Sequence, residues 1–370
     1  MSSGRVPGHG LERGRRVSIV IDGVATPPTL SVGSASGLEN QAIALPIAAG
    51  LVDTDGSETL SITISGVPAG ATLSAGTQNP DGSWTLLPSD LSGLTMTPPP
   101  HWSGTFNLGI AATSAEGTST ASTQASLPVV VTGVAEMPLL AVANATGTED
   151  NSIPLTINAG LVDTDGSETL SLVVTGMPAG ATLSAGIQNA DGSWTLTPAQ
   201  LAGLSFTPPL HWSGNASLTV AAISAENGTQ AQTTATLPIT VSGVATTPLL
   251  SASAANGTED SAIALNINAA LADTDGSETL ALTITGVPVG ATLSAGTRNA
   301  DGSWLLQPGD LTKLTLTPPA HWAGAFTLGV IATSSENGST ASAQASLPVT
   351  VDGVATTPAL SVTAASGVED

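Results

Sequence analysis

Carboxylates are the residues in this sequence whose type and spacing could do chemistry. The hexapeptide Asp-Thr-Asp-Gly-Ser-Glu begins at positions 53, 163 and 273. It sets Asp53, Asp55 and Glu58, then Asp163, Asp165 and Glu168, then Asp273, Asp275 and Glu278, each in a short turn. No Lys or Arg occurs between Val17 and Thr297, so nothing nearby in sequence offsets the mutual repulsion of these groups. Ca²⁺ takes about six to eight oxygens at about 2.3 to 2.6 Å, and Asp-x-Asp-Gly offers two carboxylates and backbone carbonyls around a Gly bend, with the Glu adding a bidentate pair. Calcium is therefore the expected cofactor. The competing reading is a solvated acidic turn, because Asp and Gly are good turn formers in their own right.

Two further sets of acids keep the same spacing. Glu39, Glu149 and Glu259 follow the first apolar run of each copy, and Glu116, Glu226 and Glu336 lie in the last hairpin. In a β-sandwich the last hairpin shares an end with the loop that carries the hexapeptide, whereas the loop after the first strand lies nearer the other end. Glu116 can thus join the site of its own copy, while Glu39 faces Asp163, Asp165 and Glu168 of the next copy across the linker Gly133-Val-Ala-Glu-Met-Pro138. The expectation is a junction site whose partners are neighbouring repeats of the same chain.

The elements that must position these groups repeat with a period of 110 residues. Gly-Val-Ala recurs at 23, 133, 243 and 353, Asp-Gly-Ser-Trp ends at Trp84, Trp194 and Trp304, and His-Trp stands at 101, 211 and 321. Repeat 1 is placed at 24–133, repeat 2 at 134–243 and repeat 3 at 244–353. Residues 1–23 read as a tail plus the last strand of a truncated preceding repeat, and 354–370 as the start of a truncated following one. Within repeat 1, period-two alternation marks strands at Leu30/Val32, Ile43/Leu45/Ile47, Leu60/Ile62/Ile64, Trp84/Leu86, Leu94/Met96, Phe106/Leu108/Ile110 and Leu127/Val129/Val131. Clusters of Gly, Pro, Asn and Asp separate them. About seven strands in a repeat of this length predict an all-β protein of tandem immunoglobulin-like sandwiches.

Composition narrows the partners. The 370 residues carry 28 acidic and six basic side chains, a formal net charge of −22. Such a field repels nucleic acid and anionic lipid. No apolar stretch approaches the roughly eighteen residues of a membrane span. The chain has no cysteine, so each sandwich must hold without disulfides. No nucleophile–base grouping, zinc-ligand spacing or phosphate loop stands out, and the chain reads as non-enzymatic. Asn79-Pro-Asp-Gly-Ser-Trp84 reads as a hairpin turn, with Trp84 in the core or at its rim. Trp102 is expected to cap the sandwich end, with His101 hydrogen-bonding locally; the other reading of the His-Trp loop is contact with a sugar or partner.

The pattern Glu-Asp, Ile-x-Leu-x-Ile, Leu-x-Asp-Thr-Asp-Gly-Ser-Glu-x-Leu, Asp-Gly-Ser-Trp and Trp-Ser/Ala-Gly, spanning 24–353, resembles bacterial cadherin-like and Ig-like tandem repeats of large RTX-type adhesins. The resemblance implies secretion, an extracellular or cell-surface location, and calcium held between domains. It equates Asp53/Asp55, Asp163/Asp165 and Asp273/Asp275 with the Asp-x-Asp ligand pair of cadherins. The linkers at Gly133-Val-Ala and Gly243-Val-Ala depart from that pattern, lacking the acidic and Asn cluster of cadherin linkers. On this basis the chain is expected to be an extender of an adhesin. The alternatives are repeats that bind glycan or protein weakly through the His-Trp loops, and accessory repeats of a secreted polysaccharide-active enzyme.

Overall fold

Alternation of apolar and polar residues becomes strand after strand. The computed structural model describes residues 23–368, so the tail and nearly all of the last strand expected within residues 1–23 lie outside the described residues. In the first repeat the strands are β1 (Thr29–Val32), β2 (Ala35–Leu38), β3 (Ile43–Ala44), β4 (Ile47–Gly50), β5 (Thr59–Ser65), β6 (Thr72–Leu73), β7 (Thr77–Gln78), β8 (Trp84–Leu86), β9 (Thr95–Thr97), β10 (Gly104–Glu116) and β11 (Ser119–Thr132). One face is a six-stranded sheet of order β2-β11-β10-β5-β8-β7; the other is built from a three-stranded sheet, β3-β9-β6, and a pair, β1-β4. The same three sheets recur in the second and third repeats. The protein is thus all-β, with three repeated sandwich units, and no α-helix occurs among the described residues.

The core follows from the pattern. β5 buries Leu60, Ile62 and Ile64 and turns Ser61 and Thr63 away. These pack with Ile43, Met96, Leu108, Ile110, Leu127 and Val129 between the faces. With no disulfide, this aliphatic burial is the main stabilising term, at about 1.5–3 kcal/mol per large side chain. Two aromatics sit differently in different copies. Phe206 is fully buried where the first repeat has Met96, whereas Phe106 is half-buried and tilts against Trp102 at 5.7 Å between ring centroids.

Two features of the six-stranded sheet place glutamates at its ends. β2 runs parallel to β11, with Leu38 opposite Thr132, and the Glu39 amide extends the ladder by donating to Thr132 O at 3.0 Å. β10 and β11 form a long antiparallel hairpin ending at the pair Glu116 and Ser119. In the later copies its turn is Asn227-Gly228 and Asn337-Gly338, with φ of 45° and 81° in both. Two positive-φ residues in succession are what a tight hairpin requires, and Asn-Gly supplies them. The Glu at the end of β10 is thereby held at the tip.

The described residues form two compact bodies. One comprises the chain up to Pro138 together with Leu161–Leu170 and Ile223–Gln232; the other comprises Leu139–Gly160, Ser171–Ala222 and the chain from Thr233 onward.

Candidate metal centre

Within the first body, Glu39, Asp163 and Glu226 converge: one carboxylate oxygen from each lies within 4.8 Å of the others. Within the second, Glu149, Asp273 and Glu336 do the same. All six are buried, with exposures between 1% and 4%. Each cluster takes one Glu from the end of a parallel edge strand, one Asp from the hexapeptide loop and one Glu from the hairpin tip of the following repeat.

Local backbone geometry sets each group in place. Asp163 Oδ1 accepts the Asp165 amide at 2.8 Å, and Asp165 Oδ1 accepts the Ser167 amide at 2.7 Å and the Ser167 hydroxyl. Two such side-chain turns in succession coil the loop so that Asp163 points inward while Asp165 stays exposed. Glu39 Oε1 accepts the Val134 amide at 2.7 Å, and Glu168 Oε1 accepts the Glu136 amide at 2.5 Å. In the second body Glu149 takes the Val244 amide at 2.6 Å, Asp273 takes Asp275 at 2.9 Å, and Glu278 takes the Thr246 amide.

Every carboxylate in these sets therefore spends one oxygen on the protein. Its second oxygen has no hydrogen-bond partner among the described residues: Glu39 Oε2, Asp163 Oδ2, Glu168 Oε2 and Glu226 Oε2 in one cluster, Glu149 Oε2, Asp273 Oδ2, Glu278 Oε2 and Glu336 Oε2 in the other. Leaving a buried acceptor unsatisfied costs about 1–3 kcal/mol, and more for a charged one. The donor set is all oxygen and all anionic, which suits a hard divalent cation and supplies nothing that a soft metal prefers. The residues present fit calcium.

The electrostatics carry the same strain. Burial pushes the Glu39 carboxyl above its ordinary value, against the pull of the Val134 amide, and the charges of Glu226, Asp163 and Glu136 add to the rise. Glu149 is pushed up to about 7, chiefly by burial, with Glu336, Asp273 and Asp150 contributing. Glu168 is raised by burial and by Asp163, Glu226 and Glu136. Burial works on Asp165 too, but donors from Ser167 and Ser103 outweigh it and hold that carboxyl below the usual range.

The linker closes the site. The Ala135 amide donates to Thr229 Oγ1 at 2.8 Å, Asn227 Nδ2 donates to Gly133 O at 3.3 Å, and the buried Ser224 hydroxyl donates to Glu136 O. Gly133 lies directly against the Glu226 carboxylate, where any Cβ would collide with it. Gly243 stands in the same relation to Glu336, and Gly23 to Glu116. The recurring Gly-Val-Ala is thus the linker segment that packs on the hairpin-tip glutamate.

The sequence-based candidates fall into three groups. Glu39 with Asp163 and Glu226, and Glu149 with Asp273 and Glu336, are brought together, with Glu168 and Glu278 alongside. Asp55, Asp165 and Asp275 are exposed and spend Oδ1 on the Ser two residues on. At the front of the described chain Glu58 is buried and takes the Thr26 amide at 2.5 Å, while Asp53 and Glu116 are half-buried. At the back Glu259 takes the Val354 amide at 2.7 Å. Sequence reading passed over Glu136, the one acid in the first linker, and Ser103 and Ser213, which reach Asp165 and Asp275. Only the 110-residue spacing of the Trp-Ser pairs could have marked the serines.

No family model and no curated relative matches the chain. Among solved structures it is similar to Drosophila N-cadherin EC1–4 at 15% identity, over 88% of this chain and 75% of that one, with a TM-score of 0.31. It is similar to the Sidekick-1 immunoglobulin domains 1–5 at 13% identity, over 89% and 60%, with a TM-score of 0.24. An endo-fucoidan hydrolase, MfFcnA4 from glycoside hydrolase family 107, aligns at 18% identity over 90% of this chain and 43% of that one, with a TM-score of 0.22.

Proposed function

We propose that the chain is a non-enzymatic extender of a secreted or surface-anchored bacterial adhesin, serving cell adhesion and biofilm, in which calcium fixes each repeat to the next. The observation that carries this reading is the pair of buried three-carboxylate clusters, each drawing Glu39 or Glu149 from one repeat and Asp163/Glu226 or Asp273/Glu336 from the following one. Residues that span a linker couple cation binding to the posture of the linker. Glu39, Asp163, Glu168 and Glu226 would hold the ion in the first cluster, and Glu149, Asp273, Glu278 and Glu336 in the second. Bound there, calcium supplies the positive charge that the chain lacks, and the linker amides of Val134 and Glu136 keep the carboxylates aimed.

Titration calorimetry and small-angle scattering, with and without a chelator, test the reading. Calcium uptake together with a longer, less variable particle supports it. Absence of uptake, with scattering and melting unaltered by chelation, would sink it.

A further inference from the structure

The His-Trp loop belongs to the junction. In all three copies the His has φ between 54° and 58°, and it faces a residue that also has positive φ, Asn40, Asp150 or Asp260. The His101 amide donates to Asn40 Oδ1 at 2.9 Å, His211 to Asp150 Oδ1 at 2.7 Å and His321 to Asp260 Oδ1 at 2.9 Å. The ring makes a second link: Nδ1 lies 2.6 Å from Glu136 Oε2 for His101, 3.1 Å from Asp150 Oδ2 for His211 and 3.0 Å from Asp260 Oδ2 for His321. For His211 this approach is a hydrogen bond, and for His101 and His321 it is a close approach of ring nitrogen to carboxylate.

The carboxylate changes its place in sequence without leaving the ring. The first copy has Asn40, whose side chain carries no charge, and there the linker supplies Glu136, itself held by Asn40 Nδ2 at 2.6 Å. The second copy has Asp150, and its linker carries Thr246 where the first has Glu136. One charge has moved between two segments while the contact with the imidazole is kept.

From that exchange, and from what flanks the His, we infer that His101 and His211 are positioning residues that staple together two arms reaching into the next repeat. One arm is the turn at Glu39-Asn40, whose Glu enters the carboxylate cluster. The other is Ser103, two residues after the His. The Ser103 amide and hydroxyl each lie 3.2 Å from Asp165 Oδ2, and the hydroxyl lies 3.5 Å from Glu226 Oε1. Ser213 repeats this with Asp275 Oδ2 at 3.2 Å and Glu336 Oε1 at 3.3 Å. Among the described residues no hydrogen bond or ion pair joins the His to a carboxylate of the cluster; it fixes the spacing of the arms that reach them. This inference deepens the reading of the junction as a calcium site and rests on it.

The test uses the full chain with both histidines replaced together, once by Gly and once by Asn. Gly accepts positive φ without strain and removes the ring, whereas Asn tolerates the same backbone and offers Nδ2 where the ring offers Nδ1. Calcium affinity is read by calorimetry at neutral pH, and amide exchange at Ser103 is read in chelator. The expected result is calcium binding weakened by about tenfold or more in the His→Gly pair, as when groups that orient metal ligands are lost, together with faster Ser103 exchange; the His→Asn pair restores both. Wild-type values for both readouts in the Gly pair would overturn the staple. If the wild-type chain takes up no calcium, the metal reading fails on its own, and the Ser103 exchange rates still decide the staple.

Discussion

Glu39 accepts the amide of Val134, 95 positions further along the chain, at 2.7 Å. That bond ties the end of a parallel edge strand to the linker leaving the same sandwich. It also commits one carboxylate oxygen and leaves the other aimed, unpartnered, at Asp163 and Glu226.

Glu39→Gln keeps the acceptor for Val134 and deletes a charge from the first cluster only. Calorimetry should show one of two uptake events weakened by about tenfold or more, because site charge tunes calcium affinity over decades. Glu149→Gln should weaken the other event, and the double variant both. An unchanged isotherm for the double variant would remove these residues from the site.

Gly133→Ala places a Cβ against the Glu226 carboxylate and must displace it. Loss of the first uptake event, with the second intact, is the expected outcome of the same titration. Gly160→Ala, where a Cβ meets open space, is the control and should leave both events in place.

Proton linkage gives a pH signature for the metal-free chain. Glu149 rises from an ordinary 4.5 to about 7 on folding, so between those values the folded protein holds a proton that the unfolded chain has released. Stability of the chelated protein should therefore fall as pH rises through that window. Calcium should reverse the trend, since its ligands must be deprotonated to bind. Melting curves at several pH values, with calcium and with chelator, check both signs, and a chelated midpoint that climbs from acid to neutral pH would contradict the linkage.

Ser224 is fully buried, and its hydroxyl donates to the linker carbonyl of Glu136. Ser224→Ala leaves that carbonyl without this donor and should cost about 1–3 kcal/mol. Urea denaturation measures it, and a loss below about 0.5 kcal/mol would mean that water replaces the hydroxyl.

Much of the fold was legible in the sequence, and the rest was hidden for definable reasons. Strands β5, β10 and β11 show clear alternation, and the structure has them where Leu60, Leu108 and Leu127 placed them. β2 was not legible: Ala35-Ser-Gly-Leu buries only Ala35, because an edge strand pairs through its backbone and asks little of its side chains. β6 and β7, two residues each, are too short to show a period. For the acids, the 110-residue spacing marked the candidates and the placement of loops at the sandwich ends pointed Glu39 across the linker at Asp163, Asp165 and Glu168; the structure groups Glu39 with Asp163 and Glu226 and leaves Asp165 exposed. The spacing could not say which member of Asp163-Thr-Asp165 turns inward, since that depends on side-chain turns that both aspartates can make. Nor could it find the linker's contacts with these acids, which run through the backbone amides of Val134 and Glu136 and so leave no trace in side-chain type.

The parallel pairing of β2 with β11 bears on how a sandwich answers tension. A pull applied along the chain draws Ala35–Leu38 and the end of Ser119–Thr132 in opposite directions along a common axis. The rungs between them are then loaded together, in shear, instead of opening one after another like a zipper. The same arrangement joins Ala145–Thr148 to Thr229–Ser242 and Ala255–Thr258 to Ser339–Asp352. Each sandwich thus sets its shear-loaded rungs directly beside Glu39, Glu149 or Glu259.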